Sequence, residues 1–490
     1  MSESDTERVT DVFEQFAHDL GFYTVARFAP AVTSVVALVV FTHAFPPEAY
    51  GRYALTLSIA GVLGTACYGW INQAIIRFEP HVEPAALYGN VAWLVTLIGT
   101  VFVVLGCVGF VFFGSSLGAF APFVLAGTAF AVTDGMYHTF KALLQARLES
   151  RSAAVYDVVQ SVGGLVLAIV VAFVLLDGII GWLWGAAIAS GVAAGALAIQ
   201  LGFNIDSMHV DAPFARRMAR YGFPLIGWLV GLSLLNFGDQ VLIELLQGSE
   251  ATGIYASNYS VAHYGLGLVF EPFVGAVGPV VMNLWDGDNG EELAEAVSDM
   301  TRYLLLIGVP AVIGLSALSR VVSGLLLDQS YVEGAVVIPI VAAGLLVWNV
   351  ALMGQQAIEV KEKTTVLFGG IALVVVVNIA INIPLILVFG YTGAAVATLL
   401  SFVLYAVFIF VASRQFIPWR LPRQSIRNVG IASIGLLGPY AAVFSLGGGS
   451  IGELIVASVA GTIAYLVTVY FLDELSSDEL LKLKRLLTSS

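Results

Sequence analysis

Cysteine and lysine are nearly missing from this chain: its 490 residues include two of the first and five of the second. Cys67 and Cys107 both lie inside apolar runs, so they offer neither a disulfide framework nor a metal-ligand spacing. Histidine is sparse too, with six residues scattered singly. No P-loop, HExxH or glycine-rich dinucleotide fingerprint occurs. Those absences argue against an ATP-hydrolysing pump or a metalloenzyme, and no catalytic residue, metal site or cofactor is expected. Charge of either sign is scarce. Charged residues make up 11% of the chain against 59% hydrophobic, and the mean hydropathy is +0.91, a balance foreign to soluble domains of this length. No hydrophilic run is long enough for a separate soluble domain, so this is a membrane protein whose work is done in or beside the bilayer.

The little charge present leans negative, with a net of −13 and sixteen arginines against five lysines. We read this as adaptation to high salt, because abundant carboxylates and few lysines keep exposed surface hydrated when 1 M salt screens charge over about 3 Å. No basic stripe exists, which disfavours nucleic acid as a partner. The leader MSESDTERVTDVFEQFAHDL lacks a basic n-region and a small-residue cleavage pattern, so a retained segment is expected.

Hydropathy over a window of about 19 residues gives fourteen candidate spans between about residues 22 and 472. On that map eighteen of the twenty-one basic residues collect on one side, with only Arg52 and Arg320 opposite and Arg27 inside the first span. The bias places both termini in the cytoplasm. Val9, Phe13, Phe16 and Leu20 recur at helical spacing, as do Leu480, Leu483 and Leu487, which suggests helices lying on the inner leaflet.

The chain also repeats itself. PEAYGRYA, from Pro47, joins the first span to the second, and SEATGIYA, from Ser249, joins the seventh to the eighth. GIIG from Gly178 precedes the sixth span and GYTG from Gly390 precedes the twelfth. Two echoes in one order at similar offsets imply two parallel six-helix repeats with a substrate site where they face each other. The expected architecture is an all-α polytopic membrane protein with about fourteen transmembrane helices, in two pseudo-twofold six-helix lobes plus two C-terminal helices. Its parts are a cytoplasmic amphipathic leader (1–20), an N-lobe (21–203), a C-lobe (204–416), an appendage of two helices (417–473) and a cytoplasmic tail (474–490).

With no group for covalent chemistry, transport remains. Its candidate residues are polar groups at membrane depth, where a charge costs at least about 2.5 to 3.5 kcal/mol and needs a partner or a wet cavity. Arg27, three residues before Pro30, can hold a phosphate bidentately or snorkel to headgroups. Arg77 closes the second span, and Asn72 lies one turn and a half before it. Asp134, His138 and Lys141 form one stripe on the fourth helix, either a proton relay or interhelical glue. Asp157, Gln160 and Ser161 form a shallower stripe on the fifth. In the second half, Asn236 and Asp239 share a face, Glu271 lies beside Pro272, and Asn378 and Asn382 line one face. Tyr137, Tyr156 and Tyr264 are candidates for stacking on sugar rings.

The order of FPPEAYGRYALTLSIAGVLG with INQAIIRF, then ARYGFPLIGW, then FGDQVLIELLQGSEATGIYASNYSVAH, then GYTGAAVATLLS resembles the polysaccharide, or O-antigen, flippases of the multidrug/oligosaccharidyl-lipid/polysaccharide exporter superfamily. The resemblance runs roughly from Gly21 to Phe416. It implies a two-lobed bundle that carries a lipid-linked glycan from the inner to the outer leaflet by alternating access, with the polyprenyl tail left in lipid. Asp239 is followed by Gln240, where members of the family often carry a basic residue, and Arg27 stands nearly alone where peptidoglycan-precursor flippases carry several basic residues. A dolichyl phosphate or diphosphate glycan in a halophile fits those departures. The expected partners are this glycan, membrane lipids and a coupling cation, Na+ or H+, with the chain acting as a monomer in the plasma membrane. Two rivals stand beside this reading: a cation-coupled drug or metabolite antiporter of the same fold, and a scaffold for a glycosyltransferase complex that carries no cargo.

Overall fold

The computed structural model describes residues 29–203, 211–285, 290–445 and 450–474. Arg27, the leader and residues 475–490 of the tail lie outside the described residues. The elements are α1 (Ala29–Ala44), α2 (Pro47–Phe78), α3 (Pro84–Leu117), α4 (Ala121–Ala146), α5 (Ser150–Val170), α6 (Ile180–Gln200), α7 (Ala212–Gln247) and α8 (Ser249–Trp285). They continue with α9 (Gly290–Ala317), the short α10 (Ser319–Leu326), α11 (Val337–Glu359), α12 (Thr364–Phe389), α13 (Tyr391–Ser413), α14 (Arg423–Ser445) and α15 (Ile451–Phe471). Among the described residues there is no strand. An α-helix satisfies its own backbone polar groups, which is what a chain in lipid requires.

Among the described residues, eleven helical stretches are long and apolar enough to cross a membrane, against the fourteen expected. One of them, Ala86–Ala146, runs through two expected spans without a polar break. The described part of α1 is shorter than a full span, and α8 carries Glu271 within its length. Large apolar side chains point outward, as in Val111, Phe112 and Phe113 of α3, which are 73%, 72% and 61% exposed. Lipid covers such surface without cost, so this is a multi-pass membrane protein.

The chain divides into two compact units, residues 1–257 and 258–490, with the boundary inside α8. In the first unit, α2 packs along α7 through polar and aromatic pairs. The Ser58 hydroxyl donates to Gln240 Oε1 at 2.7 Å, that of Ser233 donates to Thr65 Oγ1 at 3.2 Å, and Trp70 stacks on Phe223 at 5.0 Å. The core between α2, α3, α4 and α6 holds Ile71, Ile75, Leu87, Leu143 and Leu197, each with no exposed surface. Trp182 of α6 is sandwiched by Phe41 of α1 at 3.7 Å and Tyr53 of α2 at 4.1 Å.

Small residues set the tightest approaches. Gly181 and Gly185 of α6 face Ala172, just past the end of α5, and Ala168 in its last turn, and a Cβ on either glycine would collide with the alanine backbone. This is the small-xxx-small contact by which helices meet where lipid supplies no hydrophobic drive. The turn between them places Asp177 at φ 46°, the left-handed region that a short polar side chain tolerates. In the matching turn of the other echo, a Cβ on Gly393 would strike Leu385 of α12.

The repeated words meet each other. A Cβ on Gly51 would collide with the Ser249 carbonyl oxygen and come within 2.8 Å of Gly253 N. A Cβ on Gly253 would collide with the Pro47 carbonyl oxygen and come within 3.0 Å of Gly51 N. Pro47 and Ser249 are equivalent positions of the two words, so the contact is reciprocal. Glycine hydrogens aimed at carbonyl oxygens are the geometry of Cα–H···O contacts.

In the second unit, α11 and α12 flank α13, while α14 and α15 pack on α9. The Tyr465 hydroxyl donates to the Leu306 carbonyl at 2.8 Å. Glu474 is buried, and it accepts from Arg302 Nε at 3.0 Å and from Asn428 Nδ2 at 2.7 Å. The end of α15 is thereby tied to α9 and α14.

Candidate functional site

Along α2, the residues Gly61, Thr65, Tyr68 and Asn72 recur at three- and four-residue intervals and so share one face. On α4 the same spacing aligns Ala131, Asp134, Gly135 and His138. These faces, with Leu229 of α7, enclose a cavity of about 330 Å³. Glycine supplies the room: the Tyr68 ring lies where a side chain on Gly135 would go.

The cavity's polar groups are partly committed. His138 Nε2 lies 3.5 Å from Asp134 Oδ2, the Ser190 hydroxyl donates to Asp134 Oδ1 at 3.4 Å, and Gln160 Nε2 donates to Ser190 Oγ at 3.1 Å. Asp134 is therefore held from α4 and, through Ser190, from α6 and α5. Asn72 Oδ1 and the Tyr68 hydroxyl are buried against the cavity without a hydrogen-bond partner among the described residues. Unmet polar atoms of this kind carry a desolvation cost of about 1–3 kcal/mol each, which a polar guest relieves. The lining also includes Gln73 and contains no lysine or arginine. It offers acceptors, amides and a phenol, which suit hydroxyl groups better than phosphate.

Next to it, sharing Ala60 and Ala131, lies an apolar cavity of about 450 Å³ lined by Leu55, Ile59, Phe102, Phe120 and Phe123 among others. Glu244 is its one acidic lining residue.

The structure therefore brings together Asn72, Asp134 and His138 of the residues singled out in the sequence. Lys141 leaves the expected stripe and pairs with Asp157 of α5 at 2.6 Å. Tyr137, a candidate for sugar stacking, is instead buried with its hydroxyl donated to the same carboxylate at 2.8 Å. Arg77 is exposed in the last turn of α2, and Asn236 is exposed on α7. Asp239 is buried on α7, accepting from the Tyr255 hydroxyl at 2.6 Å. In the second unit Glu271 is exposed on α8. Asn378 and Asn382 are buried between α12 and α13, where Asn378 Nδ2 donates to Ser401 Oγ at 2.9 Å and Asn382 Nδ2 to Asn378 Oδ1 at 3.1 Å. Tyr68 and Gln73 were missed in the sequence. Their signal was the four-residue spacing of Tyr68 to Asn72 beside a run of glycines on α2.

Comparison with known proteins places the chain. The profile of the family described as "polysaccharide biosynthesis protein" matches residues 16–285, more than half of the sequence, and the chain belongs to that family. It is 24% identical over 195 residues to a protein of Haloferax volcanii named as a probable low-salt glycan biosynthesis flippase, Agl15. It is 24% identical over 204 residues to an uncharacterized membrane protein of Methanocaldococcus jannaschii. The matched regions cover 39% and 40% of this chain and only 41% and 39% of those relatives. In three dimensions the chain shares the fold of the lipid II flippase MurJ in an inward closed conformation. The TM-score is 0.75 at 14% identity, over 92% of this chain and 98% of that one. An inward-facing multidrug resistance transporter of the MATE family gives 0.63 at 13% identity, over 80% and 97%.

Proposed function

We propose that this member of the polysaccharide biosynthesis family carries a lipid-linked oligosaccharide from the cytoplasmic to the outer leaflet by alternating access, on a polyprenyl or dolichyl phosphate or diphosphate. The observation that carries the reading is the polar cavity between α2 and α4, with Asn72 and Tyr68 atoms that have no partner among the described residues. A sugar headgroup crossing a bilayer unaided leaves each polar group unsatisfied at a cost of several kcal/mol. A cavity lined by amides, a carboxylate and a phenol removes that cost without covalent chemistry. The glycan-flippase name of the Haloferax volcanii relative and the fold shared with MurJ support the same cargo class. In this reading the repeats are residues 21–203 and 204–416 and the appendage is 417–473. Both termini are cytoplasmic, a Na+ or H+ gradient drives the cycle, and the chain works as a monomer. Arg27 keeps its proposed place beside the headgroup phosphate. The strongly acidic composition supports a high-salt setting.

The test is mass spectrometry of lipid-linked glycans and surface glycoprotein in cells lacking the gene. Completed lipid-linked glycan should accumulate while the surface loses it. Unchanged pools, with redundancy excluded by a double deletion, together with drug efflux that follows an imposed ion gradient, would instead favour an antiporter, whose fold this chain also shares.

A further inference from the structure

The cavity between α2 and α4 presents no arginine or lysine to a phosphate, yet a group of arginines stands elsewhere. Between the end of α13 and the start of α14, Arg414, Arg420 and Arg423 line one cavity of about 500 Å³ with Phe410, Leu421 and Ile426. None of the three is in an ion pair among the described residues. Arg414 stacks over the Phe410 ring at 5.1 Å, which leaves the edge of its guanidinium open for bidentate bonding.

The connecting segment is held in place. Trp419 is buried and its indole N–H donates to Ser413 Oγ at 2.8 Å, Ile417 is buried, and the Arg420 backbone N–H donates to Ser298 Oγ of α9 at 3.2 Å. The three arginines therefore project from a fixed frame. They also project where positive charge is least welcome: the first turn of α14, a helix of 23 residues, has no acidic residue and opens with Arg423. The N-terminal dipole already carries about half a positive charge. Three unpaired cations added to it repel one another, and a multivalent anion relieves the repulsion with charge-assisted bonds. The other walls, Phe410, Leu421 and Ile426, are apolar, and Ile426 is 45% exposed, which suits a ligand with a hydrocarbon chain attached to its phosphate.

We propose that the α13–α14 arginine cavity is a binding site for the phosphate of a polyisoprenoid lipid. The proposal rests on the flippase reading for its cargo.

Binding is measured on the purified full chain in nanodiscs of neutral lipid, by native mass spectrometry, with three probes: undecaprenyl phosphate, phosphatidylglycerol and inorganic phosphate. Undecaprenyl phosphate should bind, and Arg420→Gln and Arg423→Gln should each weaken it about tenfold, as expected for losing one charge-assisted contact. Both residues are exposed and outside any ion pair among the described residues, so melting temperatures should stay unchanged. Lysine at the same positions should restore only part of the affinity, because it is a point charge and not a fork. Equal retention of phosphatidylglycerol would reduce the cluster to ordinary headgroup attraction and overturn the proposal, as would tight capture of inorganic phosphate alone. Undiminished undecaprenyl phosphate binding in the arginine variants would overturn it as well. Since no flux is needed, a failed glycan-export test with this binding intact would remove the transport reading and leave the site standing.

Discussion

Replacing Gly51 by alanine sets two known effects against each other. In a helix interior, glycine is worse than alanine by roughly 0.5–1 kcal/mol, so propensity alone expects Gly51→Ala to stabilise α2. The packing expects the reverse, because the new methyl would collide with the Ser249 carbonyl and approach Gly253 N, and both obstacles are backbone. A side chain could rotate away, but here α2 and α8 must move apart. Overpacking of this kind costs about 1–3 kcal/mol, and because nothing soft is in the way the upper half of that range applies, leaving a net loss of about 1–2.5 kcal/mol once the propensity gain is subtracted. Gly253→Ala, which meets the Pro47 carbonyl, should cost about the same. The double variant should cost at least about 0.5 kcal/mol less than the sum, because one displacement makes room for both methyls. Gly430→Ala on α14, with nothing within 4 Å, is the control and should gain the propensity term. Unfolding free energies of the purified protein in mixed micelles, titrated with a denaturing detergent, would decide the matter. If Gly51→Ala tracks Gly430→Ala in sign, or if the two alanines add, the reciprocal contact does not hold these helix starts together.

Other expectations follow from single contacts. Asn72→Ala and Asp134→Asn should each cut glycan export about three- to tenfold at normal expression, the worth of one hydrogen bond of about 0.5–1.5 kcal/mol to the cargo; export in a complemented deletion strain is the readout. Arg302→Ala should destabilise by about 3–5 kcal/mol, since it strands the buried Glu474 carboxylate with only Asn428; a fall in melting temperature checks it. Tyr465→Phe removes the donor to the Leu306 carbonyl and should cost about 1–3 kcal/mol in the same assay.

What could be read in the sequence depended on whether a feature was local. Helix positions follow from runs of apolar residues, which lipid makes decisive, so α2 to α8 and α11 to α15 overlap expected segments, whereas the ninth expected segment is divided between α9 and the short α10; among the described residues the count by length and hydropathy is eleven. The two echoes were legible as repetition, but their purpose was not. Only in three dimensions does Gly51 face Ser249 while Gly253 faces Pro47, and a word pair 202 residues apart carries no mark of touching itself. Polar stripes were the least legible. Asp134, His138 and Lys141 are equivalent along one helix, yet the Lys141 ammonium reaches Asp157 on α5 and leaves Asp134 and His138 to the cavity. Asn378 and Asn382 read as cavity residues because buried amides are rare in apolar helices, but a serine on α13 gives Asn378 an interhelical bond and Asn382 donates to Asn378 on its own helix. A lone polar residue at membrane depth therefore marks either a packed interface or a site, and what points to a site is an unpartnered atom on a side chain that lines a cavity. The Asn72 carbonyl and the Tyr68 hydroxyl have no partner among the described residues. That difference, more than the residue types themselves, makes the α2–α4 cavity the place where a cargo's hydroxyl groups gain the most by entering.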